Sequence, residues 1–113
     1  MITIEKLKAY GANTEEGLQR CMNNEGFYLM LINKSLANNQ IPALEEAVNN
    51  HDLQRGFEVA HALKGVFGNL SITPLYDVVV EITEHLRNKE EMDYAPLLKQ
   101  IKERYQALVD LSK

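Results

Sequence analysis

Apolar residues along this chain recur every three or four positions, the period that gathers them on one face of an α-helix. The longest such run lies between Leu53 and Leu70, where Leu53, Phe57, Ala60, Leu63, Phe67 and Leu70 mark one stripe. Downstream, Leu75, Val78, Val79, Ile82 and Leu86 mark a second stripe, and Leu97, Leu98, Ile101, Tyr105 and Leu108 a third. Upstream, Phe27, Leu31, Ile32 and Leu36 predict another long helix, opened by Asn24 and fading at Asn38-Asn39. Shorter helices are expected after Thr3, ending near Gly11, after Thr14, with Leu18, Cys21 and Met22 on one side, and around Leu44 and Val48, with Pro42 in the first turn. Asp52 restarts the chain into the central helix. Thr73-Pro74 opens the next, and Asp93 with Pro96 opens the last. Strand-like alternation with Asn-Gly or Asp-Gly hairpin signals is absent.

Four main helices with short connections predict an all-α chain, folded as an antiparallel up-and-down four-helix bundle with short additional N-terminal helices. A length of 113 residues suits one domain over 1–113, with a helical extension over 1–25 and the bundle over about 26–112. The 45% hydrophobic content supplies one core, and 25% charged residues suit a solvated surface. The net charge is −4, and the 12 basic residues are scattered, so a nucleic-acid footprint is not expected. Cys21 is the only cysteine and is expected to pack as a small hydrophobe. No apolar run approaches the roughly 18 residues of a membrane span, and no signal-peptide pattern opens the chain. A cytoplasmic location without membrane partners is expected.

The central helix carries a second pattern. In Ala60-His61-Ala62-Leu63-Lys64-Gly65-Val66-Phe67-Gly68-Asn69-Leu70, residues His61, Lys64, Gly65 and Gly68 fall at i, i+3, i+4 and i+7. That spacing gathers an imidazole, a cation and two residues without side chains on one stripe; His61, Gly65 and Gly68 centre well away from the core stripe, and Lys64 lies nearer its boundary. Each glycine costs a helix interior about 1 kcal/mol relative to alanine. Their presence predicts that something approaches His61 closely.

This stretch resembles the histidine-containing phosphotransfer domain, whose pattern is His-x-x-Lys-Gly on a bundle helix with small residues a turn later. The resemblance runs from about Phe27 to the C-terminus through helix order and spacing. It implies that His61 is the phosphoacceptor and that Lys64 stabilises the phosphate charge. It also implies that Gly65 and Gly68 keep side chains out of a docking partner's path. The partners implied are receiver domains of response regulators and a hybrid histidine kinase. Mg²⁺ is then expected in the receiver, with no cofactor or metal bound by this chain. The chain would act as a monomeric relay intermediate rather than an independent enzyme, since the receiver supplies most of the catalysis. Chemically, neutral imidazole is a competent phosphoryl acceptor near neutral pH, and a neighbouring ammonium favours the anionic product.

Departures from the family pattern are Val66 and Phe67 just after the Lys-Gly pair, and Ser71 where glycine is common. Thr83 stands where members often carry Gln or Glu to orient the histidine. Asn69 and Thr83 are therefore candidate orienting residues, with Glu84 as a substitute and helix-end bonding as the plainer role of Asn69. Gly65 and Gly68 have an alternative reading as close-packing positions. His51, at a helix junction, and His85, without neighbouring glycines, are weaker candidates. Two other functions compete: an interaction bundle that binds receivers or other signalling proteins without accepting phosphate, and a metal-dependent bundle enzyme built on Glu58 and His61. The latter lacks the second Glu-x-x-His pair that a di-iron bundle requires.

Overall fold

Short polar caps set several of the helix starts. Thr3 Oγ1 accepts from the Lys6 amide at 3.2 Å, and Asn24 Oδ1 from the Phe27 amide at 3.0 Å. Asp52 Oδ1 accepts from the Arg55 amide at 3.1 Å. The computed structural model describes residues 1–113 and has seven helices: α1 Ile4–Tyr10, α2 Thr14–Arg20, α3 Glu25–Ala37, α4 Ile41–Asn49, α5 Leu53–Asn69, α6 Thr73–Arg87 and α7 Ala95–Asp110. The chain is all-helical, as the apolar periodicity predicts. None of the helices is long and apolar enough to cross a membrane.

Two expected caps are displaced. Asn13, not Thr14, caps α2, and Thr14 is buried as its first residue. Thr73 is the first residue of α6, so Ile72 takes the cap position without a side-chain bond. Pro42, Pro74 and Pro96 all lie in first turns, where a missing amide hydrogen costs no helical bond. At the other ends the chain turns through the left-handed region: Gly11 has φ 112° after α1, His51 φ 60° after α4, Ser71 φ 55° after α5 and Lys89 φ 51° after α6.

Helix α5 is the spine. It packs most extensively on α6 and also on α4, while α7 lies against α6 and touches α4 and α1. Leu53, Ala60, Leu63, Phe67 and Leu70 are buried from the expected α5 stripe, and every predicted apolar residue of α6 is buried. Phe57, at the edge of that stripe, is half-buried and packs against the core cluster. On α3 the stripe is rotated: Tyr28 and Ile32 are buried, whereas Phe27 is 45% exposed. The reason is the hydroxyl of Tyr28, which donates to the Leu70 carbonyl at 2.7 Å and ties α3 to the end of α5.

Two other tyrosines make ties of the same kind. Tyr10 donates to the Arg104 carbonyl at 2.7 Å, and Tyr105 to the Leu36 carbonyl at 2.9 Å. They join α1 to α7 and α7 to α3. Burial pushes the Tyr28 hydroxyl pKa up to about 12, with Cys21 adding to the rise. Burial also pushes Tyr10 up to about 12, partly opposed by the Arg104 guanidinium. Cys21 is buried and free. Ile2 and Leu7 from the N-terminal segment join the same apolar cluster as Leu108, so α1 is bonded into the core.

Candidate functional site

His61 lies near the middle of α5, on the face away from the core, and its side chain is exposed. Neither ring nitrogen has a protein hydrogen-bond partner, so both edges of the imidazole face solvent. Its aromatic neighbour is Phe57, a turn earlier. The two rings are stacked, with centroids 5.7 Å apart and planes 25° from parallel.

The other two histidines are held. His51 Nε2 lies 3.1 Å from Glu91 Oε1, and His85 Nδ1 pairs with Glu90. His61 is thus the one imidazole of the three with no protein hydrogen-bond partner.

Lys64, one turn after His61, is half-buried and makes no ion pair with any carboxylate. The ground beyond it is clear. A Cβ at Gly65 would meet nothing within 4 Å, so packing between helices does not require glycine there. Gly68 is different. A Cβ there would lie 2.8 Å from the Tyr76 ring, so the missing side chain makes room for α6. Its carbonyl accepts from Arg20 Nη1 at 2.5 Å, and Arg20 is also paired with Glu16 at 2.6 Å. Close packing, the alternative reading of Gly68, is thus what this geometry supports.

Lys64, Gly65 and Asn69 border a polar cleft of about 530 Å³ whose far wall includes Arg20 of α2 and Asp77 of α6. His61 stands outside this cleft. Asn69 is the last residue of α5, exposed and two turns from His61, with no side-chain hydrogen bond to it. Thr83 is fully buried, and its hydroxyl donates to the Val79 carbonyl of its own helix at 2.6 Å. Its expected role in orienting His61 is therefore not met by the geometry. Glu84 pairs with Arg87 at 3.5 Å. Glu58, the carboxylate nearest His61 in sequence, accepts from Gln54 Nε2 at 3.2 Å.

The apolar periodicity assigns Phe57 to the core stripe and carries no sign of its contact with Arg87. The guanidinium carbon of Arg87 lies over the Phe57 ring, 5.2 Å from its centroid. The signal available in the sequence was the i, i+4 spacing of Phe57 and His61 on one helix.

The structure therefore defines a class: an all-helical module with one exposed, unpartnered imidazole one helical turn from a lysine free of ion pairs. The family model of the Hpt domain matches residues 34–111, which contain all of α4 to α7, and the chain belongs to that family. Hpt domains are phosphotransfer modules of two-component phosphorelays and work with receiver domains and histidine kinases. No curated protein and no solved structure matches the chain.

Proposed function

We propose that this chain is a phosphorelay intermediate that accepts a phosphoryl group on His61 from a receiver aspartate and passes it to another receiver. The observation that carries the reading is the clearing at Gly65, one turn from an exposed imidazole whose nitrogens are unbonded. In-line transfer needs donor and acceptor atoms near bonding distance, so two protein surfaces must meet over the histidine. A side chain at residue 65 would stand in the open ground that such a surface needs.

In the transfer, a neutral ring nitrogen of His61 attacks the phosphorus of the receiver's aspartyl phosphate. The P–N bond forms as the P–O bond to the aspartate breaks. The carboxylate leaves with the electron pair, and the imidazole keeps its other N–H proton. The ammonium of Lys64 neutralises part of the charge on the phosphoryl oxygens before and after transfer. Mg²⁺ belongs to the receiver, which also supplies most of the catalysis, so this chain is read as a substrate of the relay rather than an enzyme. Val66, 41% exposed beside Gly65, offers the receiver an apolar contact in place of the small polar residue common in the family.

The scaffold for this reading is one domain in which α3, α5, α6 and α7 form an antiparallel up-and-down bundle and α1 and α2 extend it. A monomer acting in the cytoplasm belongs to the same proposal. The experiment is incubation with a panel of phosphorylated receiver domains and Mg²⁺. Acid-labile, alkali-stable phosphate on the wild type and none on His61→Gln supports the relay. Receiver binding without transfer supports the competing reading of a bundle that docks receivers and takes no phosphate.

A further inference from the structure

The His61 imidazole is exposed and lacks a hydrogen-bonding residue to orient it. A free side chain in that position samples several rotamers, and only some aim a nitrogen at an incoming phosphorus. Thr83 is buried and bonded to its own helix, and Glu84 is engaged by Arg87. What does restrain the ring is Phe57, with centroids 5.7 Å apart and planes 25° from parallel, well within the range of offset aromatic stacking.

We propose that Phe57 is the positioning residue for His61, and that Arg87, seated over the same phenyl ring, helps to hold that platform in place. This rests on the reading of His61 as phosphoacceptor. The i, i+4 spacing on α5 brings the two rings together. Phe57 is half-buried and packs against the core cluster, so it is anchored on one side and offers ring surface on the other. The Arg87 guanidinium carbon lies 5.2 Å from the Phe57 centroid, within cation–π range, and comes from the last turn of α6. The platform is therefore built from two helices.

Stacking and hydrogen bonding restrain an imidazole differently. A hydrogen bond holds the N–H edge and leaves the other nitrogen as the nucleophile. A stacked neighbour restrains the plane through the face and leaves both nitrogens, which lie at the ring edge, free. The contact also survives phosphorylation, because the new P–N bond lies in the imidazole plane. Phe57 thus orients both the nucleophile and, for the onward step, the phosphorylated ring.

The test compares wild type with Phe57→Leu, Phe57→Tyr and Arg87→Gln. The first readout is the proton chemical shifts of the His61 ring, which the Phe57 ring current displaces. The second is single-turnover transfer from a phosphorylated receiver at increasing receiver concentration. Phe57→Leu is expected to move the His61 ring signals and to lower the saturating transfer rate by about three- to tenfold. The receiver concentration at half-saturation stays as in wild type. Phe57→Tyr restores both the signals and the rate, and Arg87→Gln gives a smaller loss of the same kind.

Unmoved His61 signals in Phe57→Leu overturn the proposal, as does Phe57→Tyr as slow as Phe57→Leu. So does a loss confined to receiver affinity. A wild type that takes no phosphate from any receiver, while Phe57→Leu still shifts the ring signals, overturns the phosphoacceptor reading and the positioning role with it, though the stack itself remains.

Discussion

At residue 65 the absence of a side chain has no packing purpose, and this separates function from stability. Alanine there is expected to stabilise the protein by about 0.5–1 kcal/mol, since an exposed helical glycine gains that much on substitution. Gly65→Arg is expected to fold like wild type yet slow transfer from a receiver at least tenfold by filling the approach. Thermal melts and transfer assays on both variants check this, and transfer by Gly65→Arg at the wild-type rate would contradict it. Ser71 makes the opposite case. It lies at φ 55°, where glycine bears no Cβ penalty, and its hydroxyl is buried with no partner. Ser71→Gly is therefore expected to raise stability by about 1–2 kcal/mol, read from chemical denaturation, with no change in transfer. An unchanged or lowered midpoint would refute that account. The family's preference for glycine at this position thus has a backbone cause in this chain.

At the scale of elements, the apolar stripes of α5 and α6 were legible in the sequence because long, strongly periodic segments have one way to bury their apolar face. The stripe of α3 was misread. Phe27 and Tyr28 are adjacent aromatics, and only a carbonyl distant in sequence, that of Leu70, decides which of them turns inward. The same limit applies to the tyrosine ties between α1 and α7 and between α7 and α3, which join residues 94 and 69 positions apart. Thr14 and Thr73 each stand one residue inside their helix: Asn13 supplies the cap bond of α2, and Ile72 holds the cap position of α6 without one. Close approach between α2 and α3 was equally hidden. A Cβ at Gly17 would lie 2.6 Å from the Tyr28 ring, and that ring is fully buried with its hydroxyl bonded. Gly17→Ala is expected to destabilise by about 1–3 kcal/mol through overpacking, despite the gain in helix propensity. A melting temperature equal to wild type would show that α2 and α3 are not held so closely.

Across the whole molecule, the placement of His61, Lys64 and Gly65 on α5 is more legible in the sequence than what surrounds them, because a single α-helix fixes which side chains share a face. The close approach of Tyr76 to Gly68 depends on another helix, and the separation of Thr83 from His61 depends on Thr83 lying on the buried face of α6. Global stability carries a pH signature of the same tertiary origin. Tyr10 and Tyr28 hold their protons up to about 12, against an ordinary value of 10.0. Between those values the unfolded chain binds fewer protons than the native one, so stability is fully present below about pH 10 and falls as pH rises toward 12. Urea unfolding from pH 8 to 11.5 is expected to show this decline, and Tyr28→Phe is expected to show a shallower one. An equal slope in the two proteins would dismiss Tyr28 as a source.

The central claim is that, of three histidines, the one without a protein hydrogen-bond partner carries the phosphate. The most direct measurement is to phosphorylate the protein from a receiver and locate the phosphohistidine by phosphorus–proton correlation NMR, with His51→Gln and His85→Gln as companions. The account predicts one phosphate, on His61, at wild-type yield in both companion variants. Phosphate on His51 or His85 in the wild-type protein would contradict it.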